Sequence, residues 1–207
     1  LDASLTLTLP ADETLFSGLD ALSHSLESLW NKHRTPISEA YAQQAVRLLT
    51  QHFINALLSP ADLAARQAMQ TASLLAGLAI SITRTAIAHA ISYPLTSHYG
   101  VPHGVACSFT LPALIELVQA ADALPQHSET LRQAQTLLQQ LPLAQTLQTK
   151  VCFSQLHTHS AEMFHPDRAG NFLLPFDALS LQQLLIRSEQ LLRTNQTSTA
   201  LANLITR

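Results

Sequence analysis

The chain has 207 residues, of which 47% are hydrophobic and only 12% charged, about half the usual charged share of roughly 25%. That composition suits a large apolar core, and five glycines with few strand-forming aromatics argue against a sheet protein. A net charge of −3 with neutral histidines leaves no electrostatic footprint for nucleic acid or an anionic membrane surface.

Taken in order, residues 1–10, LDASLTLTLP, alternate apolar with small polar side chains and read as an extended, strand-like lead-in. Leu15, Leu19, Leu22, Leu26 and Leu29 then recur at helical spacing, with Gly18 and Asp20 weakening the first turn, so this helix is expected to begin near Gly18 and to stop before Pro36. A second helix capped by Ser38 runs to about Leu58. Pro60 and Asp62 start a third, running to about Thr83. Its second half, ASLLAGLAISIT, is apolar all round and reads as the buried central helix. The stretch 84–104, RTAIAHAISYPLTSHYGVPHG, starts helical and is broken by two prolines and two glycines. Another buried helix, VACSFTLPALIELVQAADAL, bends at Pro112. Glutamine-rich helices follow at 128–140 and 142–150, then a loop, then an amphipathic helix from Leu179 to Arg193 and a polar tail over 194–207. The expectation is one all-α helical-bundle domain over 1–207, with no internal repeat and no linker.

No apolar run reaches the ~18 residues of a membrane span. Cys107 and Cys152 form no CxxC pair and read as free thiols of a reducing compartment, Cys107 as inert core. The N-terminus lacks a signal-peptide pattern, so a cytoplasmic protein is expected. The absence of an initiator methionine suggests a fragment.

Ten histidines is high for this length and needs a reason. Asp20 and His24, four apart, share one helix face, where carboxylate and imidazole can meet a single cation; alone, such a pair is more often a helix-stabilising surface contact. His89 sits among Ala86, Ile87, Ala88, Ala90 and Ile91, so its imidazole needs partners in an apolar setting; alone, it is more often a satisfied core residue. His103 lies between Pro102 and Gly104, which aims a side chain from a backbone rigid before it and free after it. Jointly, one carboxylate and three imidazoles suit Fe²⁺, Zn²⁺, Mn²⁺ or Co²⁺ without choosing among them, and such an ion acts as a Lewis acid. His157, His159 and His165 with Asp167 and Arg168 form a looser cluster, a second metal site or a solvated loop.

GLDALSHSLES resembles the G-x-D-A-L-x-H-x-x-E signature of the iron-dependent (group III) alcohol dehydrogenases. IAHAISYPLTSHYGVPHGVA resembles that family's second signature, in which two ligand histidines lie fourteen residues apart, the latter in P-H-G; His89 and His103 have that spacing. The lead-in LDASLTLTLP is similar to the strand and proline that open the family's C-terminal helical domain. The resemblance implies that Asp20, His24, His89 and His103 hold Fe²⁺, alternatively Zn²⁺. It also implies that NAD(P)H is bound mainly by an N-terminal α/β nucleotide-binding domain not contained in these residues. The fragment alone is then expected to bind metal but not to turn over. The substrate would be a small alcohol or aldehyde, the assembly a homo-oligomer, with neither nucleic acid nor membrane as partner.

Tyr93 stands where many family members carry a further histidine near the nicotinamide. HAISYPL with the preceding Arg84-Thr85 looks more like the phosphonoacetaldehyde reductase branch than the simple-alcohol members. Arg84 would then grip a phosphonate or carboxylate, or else merely cap a helix. Tyr93 and His98 are the expected proton-handling residues. The rival readings are a polyol dehydrogenase of the glycerol type, a dehydroquinate synthase-like lyase, and a non-enzymatic helical interaction domain. The last fits poorly with polar ligands set on apolar helix faces.

Overall fold

The structure, a computed structural model, describes residues 1–194, and the expected polar tail beyond Thr194 lies outside them. Its elements are helical, and the one pairing of extended backbone among the described residues is an isolated bridge between Asn31 and Phe172. No single described helix is long and apolar enough to cross a membrane.

The expected strand at 1–10 is instead a single 3-10 turn, Ala3–Thr6, because the Asp2 carboxylate accepts the Ser4 N–H and closes the chain on itself. Helix α1, Ala11–Leu29, starts well before Gly18, with Asp12 and Glu13 at its positive end. Gly18 therefore lies inside the helix, and a β-carbon there would overlap the Phe53 ring; the glycine is a packing necessity, not a helix start. The guanidinium of Arg66 ties this end together, donating to the Leu9 and Pro60 carbonyls and the Thr14 hydroxyl.

Helix α2, Pro36–Leu58, is capped by Thr35 and not by Ser38. The Thr35 hydroxyl accepts the Ser38 N–H and the Ser38 hydroxyl accepts the Thr35 N–H, a reciprocal box. Pro36, read as a stop signal, is the first residue of this helix, where a missing N–H costs nothing. Helix α3, Leu63–Thr83, takes Asp62 as its cap.

The expectation that α3 is the buried central helix is overturned. Ala72, Ala76 and Ala79 are buried, whereas Leu74, Leu78 and Ile82 are exposed. Small residues one turn apart let α3 approach α1 and α2 closely, which leaves its larger side chains outward. The central helix is α1: Leu15, Leu19, Leu22, Leu26 and Leu29 are fully buried, and it packs against α2 and α3.

Helix α4, Ile87–Tyr99, continues through Pro94 and ends on Gly100 in the left-handed region at φ 64°, so the glycine, not the proline, breaks it. Helix α5, His103–Ser108, and α6, Leu111–Ala120, replace the expected single bent helix, with Pro112 in the first turn of α6. Helices α7, Ser128–Gln140, and α8, Leu143–Gln148, follow the expected pattern. The predicted loop contains two one-turn helices, α9, Ser160–Met163, and α10, Pro166–Ala169, before α11, Ala178–Thr194. The segment after α10 is moored to the junction between α1 and α4: Asn171 donates its side-chain amide to the Thr85 carbonyl, and the Leu173 N–H donates to the Trp30 carbonyl.

Candidate metal centre

Three helices converge on one point. Asp20 and His24 project from α1, His89 from the first turn of α4, and His103 opens α5. Gly104 makes that convergence possible, because a β-carbon there would overlap the Phe16 carbonyl of α1. Asp20 Oδ1 lies 3.8 Å from His24 Nε2 and 3.6 Å from the Nε2 atoms of both His89 and His103. The His24 ring stacks on His89 at 4.7 Å between centroids, and His103 meets His89 edge-on at 5.4 Å.

These separations are too long for hydrogen bonds and suit donors arranged around a common centre. Asp20 Oδ1 and His89 Nε2 are buried polar atoms without a hydrogen-bond partner. Such orphaned atoms carry a cost that a bound cation would remove. The residues therefore fit a divalent metal.

Glu27, which sequence reasoning quoted inside a signature but gave no role, is fully buried beneath His89. Its carboxylate accepts the Ala86 and Ala88 N–H groups at 2.9 and 2.6 Å and lies 2.7 Å from His89 Nδ1. With a proton on Nδ1, Nε2 is turned inward toward Asp20, the carboxylate–histidine pairing that orients metal ligands.

The carboxylates and imidazoles hold one another's charge, and a cation bound there takes the place of the His89 proton. Burial pushes the Asp20 carboxyl up, but His89, His24 and His103 outweigh it and hold it below its usual value. Burial opposes a proton on His89, yet Asp20, Cys107 and Glu27 push its pKa up to about 12. Glu27 is held low despite full burial by His89 and the two backbone N–H donors. His24 is lowered, chiefly by burial. Cys107, expected to be inert, is buried but faces this cluster, its Sγ 3.4 Å from His103 Nε2.

Tyr93 lies at the rim, 40% exposed, its ring 6.3 Å from that of His103. The cation that meets it is Arg168 of α10, 4.9 Å above the ring and hydrogen-bonded to the Thr85 hydroxyl. Arg84 contributes through its backbone, closing α3 at φ 65° and accepting from Asn31 Nδ2. His98 sits nine residues beyond His89 on α4, roughly 13 Å at 1.5 Å per residue. There its Nε2 is 2.8 Å from Glu162, and its ring stacks on His159 at 3.8 Å. His157 instead meets Glu189 at 3.3 Å, so the expected cluster of His157, His159 and His165 does not gather. Sequence periodicity held no signal for Arg168 beside Tyr93, which arises from a loop folding back across the chain.

A sequence model of the Fe-containing alcohol dehydrogenase family, C-terminal, matches residues 14–159. The chain belongs to the iron-containing alcohol dehydrogenase family. A 1,3-propanediol dehydrogenase of Citrobacter freundii is 39% identical over 111 residues, 54% of this chain and 29% of that protein. A phosphonoacetaldehyde reductase of Streptomyces viridochromogenes is 39% identical over 105 residues, 51% of this chain and 27% of that protein. The sulfoacetaldehyde reductase of Bifidobacterium kashiwanohense, solved with NAD⁺, shares the fold at a TM-score of 0.75 and 24% identity, over 95% of this chain and 54% of that one. The chain thus spans at most about half the length of these iron-containing alcohol dehydrogenase relatives. Its all-α architecture corresponds to their helical part.

Proposed function

We propose that this chain is the metal-binding helical part of an NAD(P)-dependent alcohol dehydrogenase or aldehyde reductase, with Asp20, His24, His89 and His103 holding Fe²⁺ or, alternatively, Zn²⁺. The observation that carries the reading is the pair of orphaned buried atoms, Asp20 Oδ1 and His89 Nε2, at the meeting point of three helices. When bound, the ion supplies Lewis acidity that polarises the substrate carbon–oxygen bond for hydride transfer from the nicotinamide.

The chain's own residues prepare that site. Glu27 fixes the tautomer and orientation of His89. Tyr93 stands beside His103, and the Arg168 guanidinium lies over the Tyr93 ring. A guanidinium there suits a small anionic aldehyde, and relatives include reductases named for phosphonoacetaldehyde and sulfoacetaldehyde. Arg168 is better placed for this role than Arg84, whose described hydrogen bonds are made by its backbone. Tyr93 fits a proton-handling role better than His98, whose described contacts are Glu162 and His159.

In this proposal the nicotinamide comes from an α/β nucleotide-binding domain outside these residues. Such a partner agrees with relatives about twice as long and with the NAD⁺ complex of the Bifidobacterium enzyme. Homo-oligomerisation belongs to the same proposal, for which the exposed Leu74, Leu78 and Ile82 of α3 offer an apolar face.

The test is elemental analysis after anaerobic purification with iron and zinc supplied, on wild type and His89→Ala. The expected result is about one equivalent of metal in wild type, lost in the variant, with reduction of phosphonoacetaldehyde by NAD(P)H in the full protein. Wild-type protein without metal would sink the reading.

A further inference from the structure

Thr85 stands between α3 and α4 on backbone that neighbouring elements hold residue by residue. The Thr83 hydroxyl donates to that of Ser28, and Asn31 Nδ2 donates to the Arg84 carbonyl. Asn171 Nδ2 donates to the Thr85 carbonyl at 2.8 Å, and the Ala86 N–H donates to Glu27 at 2.9 Å. The linker is thus fixed by side chains of α1, of the turn after it and of the segment after α10. The same Glu27 carboxylate orients His89, so this linker and the proposed metal cluster share one frame.

On that frame the Thr85 hydroxyl accepts from Nη1 of the half-buried Arg168, whose guanidinium carbon lies 4.9 Å from the centre of the Tyr93 ring. A guanidinium carries five N–H donors in a rigid fork. Among the described residues Thr85 takes the one side-chain hydrogen bond that Arg168 makes, and no carboxylate pairs with it. Arg187 and Arg193, by contrast, are spent on Glu116 and Glu189. The charge of Arg168 is therefore held in place by a hydroxyl and a ring face without being neutralised. A free arginine side chain gives up rotamer freedom when it binds an anion; one already oriented gives up less.

We infer that Thr85 is the positioning residue for Arg168 and so sets the full protein's preference for an aldehyde carrying a phosphonate, sulfonate or carboxylate over a neutral one. The inference rests on the anionic-aldehyde reading above. Thr85 itself needs no contact with substrate. Its hydroxyl engages one N–H of the fork, which leaves the other donors for two oxygens of the anion. Without that hydroxyl the guanidinium is released to other rotamers, and the cost falls on the anionic end of the substrate and not on its carbonyl end.

The experiment measures reduction of phosphonoacetaldehyde and of acetaldehyde by NADH or NADPH in the full, metal-loaded protein. Its readout is the ratio of the two kcat/KM values, which does not depend on how much of a variant is folded. Thr85→Val removes the hydroxyl and keeps the shape; it should lower that ratio about 10-fold, through KM for phosphonoacetaldehyde. Thr85→Ser keeps a hydroxyl and should hold the ratio within about two-fold of wild type. Arg168→Met should lower the ratio at least as far as Thr85→Val does. Adding Thr85→Val to Arg168→Met should lower it no further, because a residue that acts through another then has nothing to act on. Calorimetric titration with 2-hydroxyethylphosphonate, without nucleotide, should rank the affinities in the same order. A ratio unchanged in Thr85→Val, whether both activities fall or neither does, or a further fall in the double variant, would overturn the role of Thr85 and leave the anionic-aldehyde reading standing. A ratio unchanged by Arg168→Met would overturn that reading, and this inference with it.

Discussion

Glu27 shows how much of the proposed metal site lies behind its proposed ligands. Removing its charge while keeping its shape, by Glu27→Gln, would turn an amide NH₂ toward backbone N–H groups that now donate to a carboxylate. It would also release His89 from its fixed tautomer. Loss of an outer partner of this kind weakens metal binding by roughly 10- to 100-fold. Competition against a chromophoric chelator should show that loss with far-ultraviolet circular dichroism unchanged. An affinity equal to wild type would remove Glu27 from the site.

A residue-scale lesson also comes from Cys107. The two residues before it, Val105 and Ala106, are both fully buried, so hydropathy alone places it in the core. What pattern cannot show is that the face of α5 carrying it is also the face carrying His103 toward Asp20.

Among the elements, the crossing of α1 with α5 holds the site together and depends on one missing side chain. A methyl group at Gly104 would collide with backbone, the Phe16 carbonyl, whereas one at Gly18 meets the Phe53 ring and the end of Met69. Side-chain ends can turn aside and a helix backbone cannot. Gly18→Ala should therefore cost about 1–3 kcal/mol. Gly104→Ala should cost at least as much and should also abolish stoichiometric metal binding by parting His103 from Asp20. Denaturant unfolding and elemental analysis together distinguish the two. A Gly104→Ala protein that still bound one metal would show that the close approach is dispensable.

The link between α4 and α9 is electrostatic and exposed. The Glu162 carboxyl is held below its usual value of 4.5 by His98 and then His159. A lowered carboxylate pKa contributes stability that is present above the unfolded value and is lost as pH falls through the folded one. The difference in melting temperature between wild type and Glu162→Gln should then be small and should disappear as pH falls through the lowered value. A difference that persisted once the carboxyl is protonated would refute this tether.

At the scale of the whole molecule, a preformed cluster of this kind makes stability a reading of metal occupancy. An ion present at 100 times its dissociation constant should add about 2.7 kcal/mol to the folded state. For a chain this size that is a rise of roughly 5–10 °C in melting temperature, reversed by a chelator. Calorimetry with and without Zn²⁺, on wild type and Asp20→Asn, measures it directly. A shift of equal size in the variant would mean the ion binds elsewhere.

By itself the sequence determined the all-α class and most helix spans, because leucine spacing on α1 and the apolar rows of α2 and α11 are local facts. It also brought Asp20 with His24 and His89 with His103 into view, since signatures of residue type and spacing are local too. Only the tertiary structure decided which apolar helix is central. The run in α3 is apolar all round, and the alanines of one stripe, not total hydropathy, chose the face that packs. The 3-10 turn at Ala3–Thr6 was likewise settled by one side-chain bond from Asp2, which competes with the strand pattern. Arg168 came to Tyr93, Glu27 beneath His89 and Cys107 beside His103 through contacts made across helices or by a returning loop. Periodicity records which way a side chain points along its own helix; which partner waits there is fixed by how the helices pack.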